Sequence, residues 1–127
     1  DTHITRMTAL EPGEILTSIK IPNTWANSEY YFEKIADRDV WDFALVSIAM
    51  VVKKSEKSIQ ESRMVCGGVA CTPYRLDEVE QYLSGNELSE EVIDAAAKLA
   101  AKGAKTLNYN HFKIPLMENL VKRALRS

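Results

Sequence analysis

The chain has 127 residues, of which 46% are hydrophobic and 27% are charged, a composition that fits one globular domain and excludes a wholly disordered protein. Sixteen Lys and Arg residues against eighteen Asp and Glu residues give a net charge of −2, so electrostatics offers no basis for binding nucleic acid or an anionic membrane. The longest apolar stretch, residues 43–52, is too short to span a bilayer. The first residues show no signal-peptide pattern, and because residue 1 is not Met we expect the sequence to begin at a cut in a longer chain.

Alternating side chains near the start of the chain predict a first strand over residues 14–21. Four residues would share one face of it: Ile15, Thr17, Ile19 and Ile21. Pro22 would end the strand, because proline cannot donate a hydrogen bond to a neighbouring strand. Residues 23–28 are predicted to be a loop, and the aromatic run after them predicts a second strand over residues 29–35.

The next apolar run can be interpreted in two ways. Asp42 could cap a short helical turn through residues 43–46. Residues 47–52 are rich in Ile and Val and are predicted to be a strand, although so short a run also fits a helix.

A charged hairpin connection over residues 53–57 is predicted to lead into a further strand over residues 58–70. The pair Gly67 and Gly68 lies inside that run. It predicts a bulge or a close approach of two backbones, or else a strand end that turns toward the helical half.

From Thr72 onward the apolar residues recur with helical spacing. Thr72, followed by proline, is predicted to cap a first helix that Gly85 ends. Ser89 is predicted to cap a second helix that Gly103 closes, and a third helix begins at Pro115.

The order of the elements, strands first and helices second, predicts an α+β fold. We expect an antiparallel sheet of about three to four strands in the N-terminal half, packed against about three helices in the C-terminal half. No repeat or linker interrupts the chain, so a single domain over residues 1–127 is expected.

Few residues could carry catalysis. Cys66 and Cys71 lack the further ligands that a zinc or iron–sulfur site needs, and we expect both to be reduced packing residues in a reducing compartment. His3 and His111 lack a paired nucleophile or ligand and are expected on the surface or in loops. No glycine-rich nucleotide loop is present, and the charged run at residues 77–80 is expected to be solvated.

Residues 31–44 carry the one candidate site. Lys34 would lie at the end of a strand, with Arg38 four residues further on, and together they could hold a phosphate or the edge of a flavin. The alternative is that both cations form salt bridges with the neighbouring acidic residues, Asp37, Asp39 and Asp42.

Several motifs follow one another along nearly the whole chain. They are E-P-G-E-I-L-T at residues 11–17 with Ile19 and Ile21-Pro22, the stretch at residues 32–44, G-G-V-A at residues 67–70 with Pro73 and Arg75, L-S-G at residues 83–85, and N-H-F-K-I-P-L at residues 110–116. This ordered set resembles the C-terminal domain of the FAD-binding (medium) subunit of molybdenum hydroxylases. That family includes carbon monoxide dehydrogenase, xanthine dehydrogenase and aldehyde oxidoreductases.

The resemblance implies a role in an FAD-dependent oxidoreductase. Electrons would pass from a molybdenum cofactor through [2Fe-2S] clusters to FAD, and this domain would cover one side of the FAD and dock the subunit. The FAD itself would be held mainly by an upstream FAD-binding part. The resemblance places an FAD-contacting lysine on Lys34 and matches Arg38 to the arginine of the same Y-F-E-K-x-x-D-R pattern.

The implied partners are the upstream FAD-binding domain and the molybdenum and iron–sulfur subunits, in the cytoplasm, with a homo-oligomer also compatible. Catalysis by this chain alone is not expected. The alternative is a docking or dimerisation module without cofactor contact, in which Trp25, Tyr30 and Tyr31 anchor an interface.

Overall fold

A four-stranded antiparallel sheet followed by three helices forms the computed structural model, which describes residues 5, 8–56 and 58–127. The elements are β1 Glu29–Ile35, β2 Val46–Ser55, β3 Ser58–Gly67, β4 Tyr74–Arg75, α1 Asp77–Leu83, α2 Glu90–Ala100 and α3 Lys113–Arg126. The predicted α+β fold, with strands in the N-terminal half and helices in the C-terminal half, is confirmed.

The strands pair in chain order, β1-β2-β3-β4, and the helices cover one face of the sheet. Residues on β2 alternate between buried and less buried positions, because successive side chains point to opposite faces. The buried face of the sheet joins the apolar stripes of α2 and α3 in one core. Its largest fully buried side chains are Ile48, Ile59, Met64, Leu83 and Leu120.

Local signals set the helix ends. The Ser89 hydroxyl accepts a hydrogen bond from the Val92 backbone N–H at 3.3 Å, so the predicted cap of α2 is confirmed. Gly85 follows α1 with φ of +79°, a conformation that glycine adopts without a Cβ clash. Helix α3 begins at Lys113, two residues before the predicted start at Pro115, and proline is tolerated there because first-turn N–H groups have no partner within the helix.

The predicted strand over residues 14–21 is wrong for this structure. Those residues are exposed and have no regular secondary structure, because no other strand among the described residues pairs with them. A 3-10 helix over Asn23–Trp25 then lies within the predicted loop, and β1 has the predicted bounds.

The helical turn that Asp42 could have capped over residues 43–46 is absent, and the predicted strand over residues 47–52 lies within β2. The Leu45 N–H donates to the Ile35 carbonyl at 2.7 Å, which extends the β1–β2 pairing to the edge of the loop, and Val46 already belongs to β2. Strand β2 continues to Ser55 and so occupies three of the five residues of the hairpin connection predicted over residues 53–57. Lys57 lies outside the described residues.

Strand β3 ends at Gly67, three residues before its predicted end. Gly68 has φ of +76°, and a Cβ there would lie 2.9 Å from the Leu45 carbonyl oxygen. The predicted close backbone approach is therefore confirmed.

The first helix starts later than predicted at Thr72. Tyr74 and Arg75 pair with Cys66 and Val65 of β3, so their backbone belongs to the sheet and α1 begins only at Asp77.

The charged run at residues 77–80 is not wholly solvated, because Glu80 is buried. Its carboxylate accepts hydrogen bonds from the Met64 backbone N–H at 2.8 Å and from the Arg75 guanidinium at 3.1 and 2.7 Å. A buried carboxylate needs such partners. Glu80 therefore joins α1 to both β3 and β4.

Candidate functional site

Lys34 lies on the face of β1 that points away from the helices. Tyr30 and Phe32 share that face and are exposed, whereas Tyr31 and Ile35 pack against the core. Positions two apart on a strand are separated by about 7 Å, so Phe32 and Lys34 are adjacent on this outer face.

The surface beside Lys34 is nearly flat, because its cross-strand neighbours on the outer face have small side chains or none. Lys34 pairs with Ser47, which in turn pairs with Gly67. A Cβ at Gly67 would lie 2.6 Å from the Ser47 Oγ, so a larger residue there would force the Ser47 hydroxyl to rotate away. The adjacent row is Phe32, Ala49 and Val65. Together the two rows present a flat, partly apolar surface next to an ammonium group.

The ammonium of Lys34 retains hydrogen-bonding capacity. Its Nζ donates to the Asp42 backbone carbonyl at 3.1 Å, and two of its three N–H groups remain for another acceptor. Lys34 therefore offers a positive charge at the edge of the flat surface.

Arg38 is used within the loop between β1 and β2. Its backbone N–H donates to the Asp42 carboxylate at 2.9 Å, and its guanidinium donates to the Trp41 carbonyl at 2.8 Å. Over residues 5, 8–56 and 58–127, neither Lys34 nor Arg38 forms the salt bridges with neighbouring aspartates that the sequence allowed. Both cations bind backbone carbonyls instead.

The same loop exposes three large apolar side chains, Val40, Trp41 and Phe43, which the sequence interpretation did not identify as a group. Trp41 has φ of +53°, a conformation that costs a residue with a Cβ about 1 kcal/mol. The contact between Arg38 and the Trp41 carbonyl helps to hold it. The signal in the sequence was the presence of bulky apolar residues among aspartates, where an ordinary turn has small polar residues.

Four cavities of about 210, 290, 260 and 70 Å³ lie among β3, β4, the helices and the loops beside them. Neither Lys34 nor Arg38 lines any of them. Lys34 lies instead on the exposed outer face of β1, so the candidate site can cover a bound group from one side.

The three aromatic residues considered as interface anchors have different environments. Tyr30 is exposed. Tyr31 is half-buried and donates its hydroxyl hydrogen bond to Glu33, which raises its pKa. Trp25 packs beneath Lys53 Nζ and Arg63 Cζ, which lie 4.6 and 5.3 Å from its ring centroid. Only Tyr30 is freely presented.

The other reactive groups stay apart from Lys34. Both cysteines are free; Cys66 is buried as predicted, and burial raises the pKa of its thiol to about 11, whereas Cys71 is exposed and does not pack. His111 is exposed in a loop, as predicted, and His3 lies outside the described residues. Within the described ranges there is no cluster of three or more metal-binding side chains, and no helix is long and apolar enough to cross a membrane.

Comparison with known proteins identifies the fold's relatives. Residues 30–127 match the model of the CO dehydrogenase flavoprotein C-terminal domain. The chain belongs to that family. The resemblance indicated by the motifs is thereby confirmed.

Two curated relatives match almost the whole chain. The nicotine 6-hydroxylase medium subunit of Paenarthrobacter nicotinovorans is 29% identical over 94% of this chain and 41% of its own length. The carbon monoxide dehydrogenase medium chain of Hydrogenophaga pseudoflava is 29% identical over 97% of this chain and 44% of its own length. The chain thus spans less than half the length of these medium subunits.

A solved structure, the Cu,Mo-CO dehydrogenase in its cyanide-inactivated form, superposes with a TM-score of 0.78. It is 27% identical to this chain and covers 94% of it, while the chain covers 43% of the matched polypeptide. This chain is therefore similar in both sequence and fold to one polypeptide of that CO dehydrogenase.

Proposed function

We propose that the chain is the C-terminal domain of the flavin subunit of a molybdenum-containing hydroxylase or dehydrogenase, and that the outer face of its sheet covers FAD held by another part of that subunit. The observation that carries the proposal is the Lys34 ammonium, with two N–H groups to spare, at the edge of the flat rows formed with Ser47 and Gly67.

The residues present fit a flavin. A planar ring system needs a flat apolar surface, and the small side chains of Ser47 and Ala49 beside Phe32 provide one. A ring carbonyl, a phosphate or an anionic ring needs a hydrogen-bond donor with positive charge, which Lys34 provides. Arg38 supports the loop beside this surface through Trp41 and Asp42, and we assign it a positioning role.

The bound FAD would supply the redox chemistry. Lys34 would stabilise negative charge that develops on the group it contacts, because an opposite charge nearby favours the ionised form. The exposed loop residues would exclude water from the covered side. Because the site is an open face, the chain alone is not expected to bind FAD tightly or to catalyse a reaction.

The partners in this proposal are the FAD-binding part of the same subunit and the molybdenum and iron–sulfur subunits. The similarity of the chain to medium subunits, and to a polypeptide of the Cu,Mo-CO dehydrogenase, supports this assembly. Two free thiols fit a reducing compartment such as the cytoplasm. The substrate would be determined by the molybdenum subunit.

Calorimetric titration of FAD into the complete flavin subunit tests the proposal. We expect Lys34→Ala to weaken FAD binding about tenfold or to lower the reduction potential of the bound flavin, since a charged hydrogen bond is lost. Lys98→Ala removes an exposed lysine from α2 and serves as the matched control. Unchanged affinity and potential in Lys34→Ala would exclude Lys34 from the site and favour the docking module.

A further inference from the structure

The N-terminal segment, defined as residues 14–21, makes little contact with the rest of the fold. Every residue from 8 to 24 is exposed. Ile15, Ile19 and Ile21 are 82%, 79% and 87% exposed, values near those of an extended peptide. Among the described residues, no backbone hydrogen bond involves residues 15–21. Aliphatic side chains and backbone groups are therefore both left without protein partners.

The sequence of the segment is nevertheless that of a strand. Its alternate positions carry four β-branched residues, Ile15, Thr17, Ile19 and Ile21. Such residues favour strands, and their period of two places them on one face. Neither Gly nor Pro interrupts the run, and Pro22 ends it. A segment with this pattern can form a stable strand only if its backbone groups pair with the edge of a sheet outside the described fold.

The chain joins the domain only after this segment. The 3-10 helix Asn23–Trp25 places Trp25 against Lys53 and Arg63 on the outer face of the sheet. Strand β1 begins four residues later, at Glu29. The attachment at Trp25 thus separates the N-terminal segment from the packed part of the chain.

The comparisons treat the N-terminal segment differently from the packed part of the chain. The family model begins at residue 30, so the N-terminal segment lies outside it. The two medium subunits match 94% and 97% of the chain, and matches of that extent must include residues 14–21. More than half of each medium subunit lies beyond the match. The segment is therefore shared with proteins that have further polypeptide able to supply its partner.

We propose that residues 14–21 form a β-strand by adding to the edge of a sheet in the FAD-binding part of the same flavin subunit. This inference rests on the proposed function. A sheet edge would pair the free backbone groups, and a sheet with a covered face would bury the Ile15, Ile19 and Ile21 side chains. Pro22 and Trp25 would then fix the direction in which the chain enters β1, and hence the placement of Lys34 over the cofactor.

A second copy of this chain is the less suitable partner. Two such segments paired with each other would form a two-stranded ribbon, which is marginally stable and leaves the isoleucine face without a covering layer. The proposed domain boundary near Pro22 differs from the single domain expected over residues 1–127.

Hydrogen–deuterium exchange in the full-length polypeptide that carries this chain tests the proposal. We expect alternate amides of residues 15–21 to exchange at least about 100-fold more slowly than in an unstructured peptide, since one side of the strand is hydrogen-bonded. Ile19→Lys should abolish that protection, because it places a charge on the buried face. Ser18→Lys, on the opposite face, should retain it.

Two results would overturn the proposal: exchange of residues 15–21 at unstructured rates in the full-length protein, or protection that appears only as protein concentration rises and a dimer forms. The FAD titration reports separately on the proposed function. If FAD binds and Lys34→Ala weakens it while the segment stays unprotected, only the strand inference fails. If the segment is protected but FAD does not bind, the strand inference stands and the cofactor assignment fails.

Discussion

The Lys34 Nζ and the Asp42 backbone carbonyl, 3.1 Å apart, connect strand β1 to the loop that follows it. The Asp42 carboxylate accepts a second hydrogen bond, at 2.9 Å, from the Arg38 backbone N–H. Asp42 therefore closes the loop and at the same time constrains the ammonium that we propose contacts FAD. A residue that the sequence suggested as a helix cap is instead the centre of this loop.

Asp42→Ala tests that positioning role. The backbone carbonyl that binds Lys34 remains, but the loop loses the hydrogen bond that the Arg38 N–H donates. We therefore expect the FAD affinity of the complete flavin subunit to fall about threefold, and the unfolding free energy to change by less than the binding free energy does. Asp39→Ala removes an exposed carboxylate of the same loop and is the control. Equal effects of the two substitutions would show that loop charge, and not closure by Asp42, matters. Calorimetric titration measures both.

Glycine substitutions at Trp41 and Phe43 test how much the left-handed backbone of Trp41 costs the fold. Both side chains are more than 90% exposed, but of the two only Trp41 has a positive φ. Trp41→Gly should leave the unfolding free energy nearly unchanged, since relief of the left-handed conformation offsets the greater freedom of glycine in the unfolded chain. Phe43→Gly has no strain to relieve and should destabilise the fold by about 0.5–1 kcal/mol. Urea denaturation compares them, and equal losses would argue against strain at Trp41.

Glu80→Ala should lower the unfolding free energy by about 2 kcal/mol, because it leaves the buried Met64 N–H without its acceptor. The Arg75 guanidinium also loses both hydrogen bonds to Glu80, although it keeps an ion pair with a second carboxylate at 3.1 Å. Glu78, two residues earlier, is exposed and pairs with Lys102 at 2.8 Å. Glu78→Ala should cost less than about 0.5 kcal/mol, as exposed ion pairs usually do. A Glu80→Ala loss no greater than that of Glu78→Ala would remove Glu80 as the link between α1, β3 and β4.

Periodicity predicted those parts of the fold that depend on local pattern. Strand β1 follows from its run of aromatic residues, and the Ser89 cap of α2 follows from a side chain that bonds its own first turn. The start of α1 could not be predicted in this way. Thr72 is followed by proline as at many helix starts, but pairing of Tyr74 and Arg75 with β3 delays the helix.

The candidate site was predictable only in part. The sequence placed Lys34 at the end of a strand, and the structure confirms that position in β1. The flatness beside it depends on which residues of β2 and β3 lie opposite, Ser47 and Gly67, and this register is set by tertiary pairing. The burial of Glu80 depends likewise on a β4 strand only two residues long, which periodicity does not detect.

The ion pairs between α2 and α3 should make the free energy of unfolding fall at low pH. The Lys122 ammonium, 2.7 Å from Asp94, lowers the pKa of that carboxyl, and the Arg126 guanidinium lowers the pKa of Glu90. In both cases the unfolded chain takes up its proton first as pH falls. The stabilisation is therefore complete at neutral pH and is lost as pH falls through the ordinary carboxyl range, near pH 4, and below it.

Lys122→Ala isolates the Asp94 part of this effect. Without Lys122 the pKa of Asp94 should move back toward its ordinary value, so the variant should lose less stability than the wild type between pH 6 and pH 3, measured by urea denaturation at each pH. Lys105→Ala removes an exposed lysine from the loop after α2 and should keep the wild-type slope. If Lys122→Ala also kept that slope, the ion pair between the two helices would not contribute to acid sensitivity, and the loss at low pH would have to come from other carboxylates.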